Sequence, residues 1–87
     1  MMLDISRLRK NLGRLKSKNP SLFKAVQKKI NQIAFCDEIS IEHFKNLKGN
    51  ISGLKRVHIG SFVLTFQVKN GMVIFYNFDH HDRIYNK

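Results

Sequence analysis

The sequence is poor in cysteine and proline, and it contains no tryptophan. Its single cysteine, Cys36, excludes an intramolecular disulfide and a zinc site built from several thiolates. No apolar run is long enough for a signal peptide or a membrane span, so we expect a cytoplasmic protein without membrane contact. A chain of 87 residues is also too short for two hydrophobic cores, which predicts a single domain over residues 1–87.

Acidic residues are scarce as well. Six Asp and Glu stand against sixteen Lys and Arg, which gives a formal net charge of +10. Nine of the basic residues lie between Arg7 and Lys29, a segment that contains no acid. A solvated helical surface would account for this segment, but so large an excess is more typical of a protein that meets a polyanion or an acidic protein.

Two amphipathic helices are predicted within residues 1–35. Apolar residues recur at steps of three and four, first over residues 5–15 and again over residues 23–33. Between the two stripes, Asn19 can cap a helix whose first turn contains Pro20. We therefore expect an antiparallel helical hairpin whose two apolar stripes face a sheet.

The sheet is predicted from residues 54–85, where the apolar period changes to two. The period and two turn signals, Gly60-Ser61 and Asn70-Gly71, predict an antiparallel meander of three strands, at residues 54–59, 62–68 and 72–78. The preceding stretch has turn formers and no sustained period, so we expect an irregular connection over residues 36–53, anchored by Phe44 and Leu47. The fold class is α+β, with the helical hairpin packed on the sheet.

Strand alternation divides the side chains between the two faces of this sheet, because successive residues point to opposite sides. The set expected to face the helices is Val57, Ile59, Phe62, Leu64, Phe66, Val68, Ile74, Tyr76 and Phe78. The set expected on the open face is Arg56, His58, Thr65, Gln67, Asn77, Asp79 and His81, the last two if the strand continues past residue 78. On the same alternation, His80 and Asp82 point away from the open face.

Two histidines and an arginine on one polar face suit the cleavage of RNA. A base must take the 2′-hydroxyl proton, an acid must protonate the leaving oxygen, and a cation must stabilise the phosphate. His58 and His81 are the acid–base candidates and Arg56 is the phosphate ligand, although both histidines could simply be exposed strand residues. A metal site around His80 and His81 is disfavoured because adjacent residues in a strand diverge, so we expect no metal or other cofactor.

Several segments of the chain also resemble a known family. Two basic helices, then LKGNISGLKRVHIGSFVLTFQV, an Asn-Gly turn and IFYNFDHHDRIY, are similar to the RelE/ParE superfamily of toxins from type II toxin–antitoxin modules. The resemblance implies a helical hairpin on a twisted antiparallel sheet and, in the histidine-using RelE branch, metal-independent cleavage of mRNA in the ribosomal A site. It also implies a cognate antitoxin as partner, with a homodimer or a toxin–antitoxin hetero-oligomer as the assembly.

The resemblance implies roles for particular residues. Arg56 falls at a phosphate-binding or catalytic position, His58 at another active position, and His81 where a residue acts on the leaving group. The further positions expected to bind RNA are Lys45, Lys48, Arg83 and Tyr85, of which Tyr85 could instead close the core.

Two departures from the family pattern affect these expectations. Only residues 1–4 precede the first helical stripe, so the usual N-terminal strand is very short or missing, which leaves a three- or four-stranded sheet and an open edge. Val63 stands where other members commonly have Arg, so catalysis would depend on the histidines. A non-enzymatic toxin therefore remains the alternative: a ParE-like inhibitor of DNA gyrase, or an inactive toxin that only binds its antitoxin.

Overall fold

The computed structural model describes residues 2–44 and 53–85. Helices and strands follow along these ranges in the order β1 (Met2–Asp4), α1 (Arg9–Lys18), α2 (Pro20–Ala34), α3 (Glu38–Ile41), β2 (Lys55–Ile59), β3 (Phe62–Lys69), β4 (Met72–His80) and α4 (His81–Tyr85). None of the helices in these ranges combines the length and the apolar character that a membrane span requires.

The helical hairpin is confirmed, and its turn is the one predicted. Asn19 ends α1 by donating its backbone N–H to the carbonyl of Leu15 (2.8 Å), and its side chain accepts the N–H of Leu22 (3.2 Å) to cap α2. Pro20 occupies the first position of α2, where no intrahelical hydrogen bond is lost. Because α1 begins only at Arg9, the N-terminal half of its predicted stripe lies in the preceding turn.

The core lies between α2 and the sheet. The residues of α2 at helical spacing that are buried are Val26, Ile30 and Ile33. They join a cluster whose largest fully buried members from the sheet are Leu64, Phe66 and Phe75. Each such side chain contributes about 1.5–3 kcal/mol through its burial, and this packing holds the hairpin on one face of the sheet and leaves the opposite face for polar residues.

The sheet has the strand order β1-β4-β3-β2. The meander of β2, β3 and β4 is antiparallel as predicted, and its Asn70-Gly71 turn has positive φ at both residues (54° and 76°), which the tight hairpin turn requires. The three-residue β1 adds a fourth strand that pairs with β4 in parallel. The sheet is therefore mixed, and the expectation of a wholly antiparallel sheet is corrected.

β4 does not keep a simple alternation along its length. Its register against β3 shifts because Tyr76 is one extra residue, a β-bulge, and an extra residue reverses the faces of all residues on one side of it. The prediction that Ile74 and Tyr76 face the helices is wrong for this reason. The inward residues of β4 are instead Val73, Phe75 and, beyond the bulge, Phe78.

The stretch that follows α2 is more ordered than expected. Residues 38–41 form the short helix α3, which Asp37 caps by accepting the N–H of Ser40 (2.7 Å). Ile41 is fully buried, and Phe44 lies edge-on to Phe66 with ring centroids 5.5 Å apart, so the anchoring role predicted for Phe44 is confirmed. The second predicted anchor, Leu47, lies outside the described residues.

Candidate active site

Strand β2 carries Arg56 and His58 on the face away from the helices. Val57, between them, packs against the core, so the two polar side chains share the opposite face. Arg56 Nη1 lies 2.8 Å from His58 Nε2. Because a guanidinium only donates hydrogen bonds, this bond requires Nε2 of His58 as the acceptor.

His81 comes to the same face from α4. Its backbone N–H donates to the carbonyl of Ser61 (2.8 Å), which ties the start of α4 to the turn between β2 and β3. The rings of His58 and His81 lie 5.8 Å apart between centroids, tilted by 31°. The structure thus brings together the two histidines that the sequence places on separate elements, while their catalytic roles stay predictions.

The neighbouring His80 belongs to the other face. It pairs with Phe62 of β3, and its ring lies edge-on to the Phe62 ring at 5.5 Å between centroids. β4 ends at His80, so the extended path expected as far as His81 is one residue too long. The expected placement of Asp82 away from the site is also wrong, because in the helix its carboxylate lies 3.5 Å from His81 Nδ1 and 3.7 Å from His80 Nδ1.

An apolar residue, Val63, lies between His58 and Asp79 on the sheet. Val63 is fully buried and pairs with His58 on one side and with Asp79 on the other. Asp79 Oδ1 accepts the backbone N–H of His80 (2.7 Å) and lies 3.4 Å from Nη1 of the exposed Arg83. Arg83 therefore offsets the carboxylate charge that an approaching phosphate would meet.

The remaining polar residues predicted on this face lie farther from the histidines. Thr65 is nearly buried, and its hydroxyl donates to the carbonyl of Asn77 (3.3 Å). The Asn77 side chain accepts the N–H of Phe78 (2.9 Å), and Gln67 accepts from the hydroxyl of Tyr76 (3.0 Å). These bonds hold the polar side chains in fixed positions along the face.

Two residues near this face were missed by the sequence reasoning. Tyr76 was assigned to the core, but the bulge turns its hydroxyl toward Gln67 on the open face. The guanidinium of Arg7 lies over the Tyr76 ring, 4.5 Å from its centroid. The available signal was the pair Asp4 and Ser6, whose spacing is typical of a side-chain-supported turn just before Arg7.

A third missed residue, Lys55, is buried at the start of β2. Its Nζ donates to the carbonyl of Phe44 (3.3 Å) and to a carboxylate oxygen of Glu42 (3.5 Å). These bonds fasten the residues after α3 to the sheet, close in sequence to Arg56. A buried ammonium needs such partners, which gives Lys55 a structural function.

The other candidates are placed only in part. Lys45 and Lys48 lie outside the described residues, and of Tyr85 the structure describes the backbone, at the end of α4. Within the described ranges no group of three or more His, Cys, Asp or Glu side chains is arranged to hold a metal ion. Cys36 is half-buried, with its thiol donating to the carbonyl of Gln32.

The helical hairpin presents a separate cationic surface. Its exposed basic residues are Arg9, Lys10, Arg14, Lys16, Lys18, Lys24 and Lys28. Neither α1 nor α2 has an acidic residue in its first turn, and no acid occurs in either sequence. This surface attracts a polyanion or an acidic protein at a distance, because the charges reinforce one another.

The fold and the site together define a small α+β protein of RelE-like architecture. The chain is 43% identical to "Putative toxin RelE4" of Methanocaldococcus jannaschii over 83 residues, which are 92% of this chain and 84% of that relative. An uncharacterized protein of Methanosarcina mazei is 42% identical over 77 residues, covering 82% of this chain and 90% of the relative. No family model and no solved structure matches significantly.

At this identity and coverage the chain belongs to the RelE family of toxins. Membership implies an antitoxin as its protein partner.

Proposed function

We propose that the protein is a ribosome-dependent endoribonuclease that inhibits translation by cutting mRNA in the ribosomal A site without a metal cofactor. The observation that carries the proposal is the pairing of His58 and His81, 5.8 Å apart between ring centroids, with Arg56 bonded to His58. Two imidazoles, each able to give or take a proton, and one permanent cation are the set that RNA transesterification needs.

The proposed reaction uses all three side chains. His58 Nε2 takes the proton of the 2′-hydroxyl, and the 2′-oxygen attacks the adjacent phosphorus. The bond to the 5′-oxygen breaks as His81 donates a proton to it. The products are a 2′,3′-cyclic phosphate and a 5′-hydroxyl; one proton is removed and one is supplied, so neither water nor a metal enters the step.

Arg56 has two functions in this scheme. Before RNA binds, its hydrogen bond occupies the Nε2 lone pair of His58. A phosphate oxygen is the stronger acceptor for a guanidinium, since both partners are charged. Binding of the scissile phosphate therefore draws Arg56 away from the imidazole, which releases the base at the moment when the substrate is in place.

The cations of α1 and α2 supply the attraction to the ribosome. Their exposure allows them to approach RNA phosphates, and contacts of this kind weaken steeply with salt. The same surface suits an acidic antitoxin. A single surface that serves both partners would let the antitoxin neutralise the toxin by exclusion.

The test is a reconstituted translation reaction with a reporter mRNA, followed by mapping of new 5′ ends. Cleavage should persist with a chelator specific for transition metals, which leaves the magnesium of the ribosome in place. The variant His81→Ala should lose at least about 100-fold in cleavage rate, because an acid–base group contributes that much or more. His80→Ala, which changes the adjacent residue on the other face, is the matched control and should cut at nearly the wild-type rate.

Other outcomes would contradict the proposed metal-independent endoribonuclease. Loss of cleavage in the chelator would indicate a metal-dependent site. Intact transcripts together with DNA damage in arrested cells would indicate a gyrase inhibitor. If neither RNA cleavage nor DNA damage is seen, the result would indicate a chain that only binds its antitoxin.

A further inference from the structure

A cation–π pair lies on the sheet at a distance from the histidines. Arg7 covers the ring of Tyr76 at 4.5 Å, and the Tyr76 hydroxyl donates to Gln67 Oε1 at 3.0 Å. Neither Arg7 nor Tyr76 has a part in the acid–base scheme. We propose that these two side chains form a nucleobase-binding platform, which favours the RNA bases that stack most strongly at a position a few nucleotides from the cleaved bond; this inference rests on the proposed endonuclease function.

The strand register places the platform in line with the histidines. Val63 pairs directly with His58, and Gln67 follows Val63 by four residues on the same face of β3. Four residues of a strand span about 13 Å. Stacked nucleotides advance about 3.4 Å each along one strand, so this offset along the strand direction alone corresponds to about four nucleotides of the same RNA.

The side chains suit an unpaired base. Single-stranded RNA is recognised by bases that stack on aromatic rings and on guanidinium planes, and Arg7 with Tyr76 offers both in one stack. The bond to Gln67 fixes the orientation of the ring. Arg7 is exposed to solvent, so a base can reach the stack without opening the core.

Local sequence holds Arg7 in position. Asp4 Oδ1 accepts both the backbone N–H of Ser6 (3.0 Å) and its hydroxyl (2.6 Å), which turns the chain sharply after β1. These hydrogen bonds lower the pKa of the Asp4 carboxyl. The hydrogen bonds thus favour the carboxylate form, which supports the turn that leads to Arg7.

A purely structural stack would join the N-terminal turn to β4 and would do nothing else. Loss of a structural stack weakens folding but cannot change which sequences are cut. The base preference of cleavage therefore separates the two functions. Arg7→Lys is the most informative variant, because lysine keeps the positive charge but lacks the planar guanidinium on which a base can stack.

The first experiment maps cleavage sites in a randomised mRNA pool for the wild type and three variants, Arg7→Lys, Tyr76→Leu and Tyr76→Phe. Arg7→Lys and Tyr76→Leu should lose most of the base preference at a single position that lies a few nucleotides from the cut, because the preference comes from differences in stacking strength. Tyr76→Phe keeps the aromatic ring and should retain most of the base preference. The control is Lys16→Ala, which removes the cation of another pair, Lys16 over Phe23 (5.9 Å) on the hairpin, and should weaken all sequences equally.

The second experiment does not depend on cleavage. It measures, by fluorescence anisotropy, the binding of short labelled homopolymers of A, C, G or U that carry 2′-deoxyribose and cannot be cut. The wild type should prefer one base, and Arg7→Lys should bind all four alike with an unchanged salt dependence. If wild-type protein cuts no mRNA and yet shows this preference, the endonuclease proposal fails and the base-binding part of the platform proposal stands.

Two results would overturn the platform. One is an unchanged base preference in folded Arg7→Lys and Tyr76→Leu proteins, with normal cleavage. The other is equal binding of all four homopolymers by the wild type. Either result would leave the histidine pair untouched and would assign the Arg7–Tyr76 stack to folding alone.

Discussion

The imidazole of His58, on β2, lies 5.8 Å from the imidazole of His81, on α4, measured between ring centroids. A hydrogen bond from the His81 N–H to Ser61 holds this arrangement, since it fastens the helix to the turn that follows β2. This backbone contact thus fixes the start of α4, the element that carries His81. If they exchange protons with one substrate, they should behave as a unit.

Double substitution tests whether the histidines act together. His58→Ala and His81→Ala should each lower the cleavage rate by at least about 100-fold, and the double variant should be hardly slower than either single one, because groups in one mechanism are not additive. Single-turnover cleavage of mRNA on ribosomes is the measurement. His43→Ala, at an exposed position after α3, should match the wild type. Multiplying effects in the double variant would mean that the two act independently.

The guanidinium of Arg56 should not be replaceable by another cation. Lysine keeps the charge but cannot offer the planar pair of donors that a phosphate accepts, so Arg56→Lys should lower the rate of the chemical step by about tenfold or more. Rates at saturating ribosome concentration separate this effect from weaker binding. A variant that loses only affinity would assign Arg56 to binding alone.

The capping carboxylate of Asp37 should make stability depend on pH. The hydrogen bond from the Ser40 N–H lowers the pKa of Asp37, so its contribution is present above the pKa of the unfolded chain and is lost as pH falls through the folded value. Asp37→Asn keeps a capping oxygen that does not titrate. The melting temperature of the wild type should therefore fall more than that of Asp37→Asn as the pH drops below about 3.9; parallel curves would contradict this.

Burial should decide the effect of two identical substitutions. Phe66 is fully buried against Phe44 and Phe75, and Phe66→Ala should cost about 3–5 kcal/mol of unfolding free energy. Phe35 is 91% exposed, and Phe35→Ala should change the unfolding free energy by less than about 0.5 kcal/mol. Urea denaturation measures both. Similar costs would indicate that Phe35 is covered in solution, for example by a second copy.

Several elements were predictable because their signals are local. The turn at Asn19 and Pro20, the apolar stripe of α2 and the positive-φ pair Asn70-Gly71 each depend on residues within a few positions of one another. The short helix α3 escaped prediction because a single turn has no period to detect. The burial of Ile41 in α3 is evident only when the residues that pack on it are known.

The sequence by itself determined the helical hairpin and the antiparallel meander, because helix and strand periods assign faces without knowledge of any partner. Only the tertiary structure decided the parallel direction of β1, the outward turn of Tyr76 and the approach of His81 to His58. Each of these depends on pairing between segments distant in the chain. A bulge or a crossover changes such pairing while leaving the local pattern of residues the same.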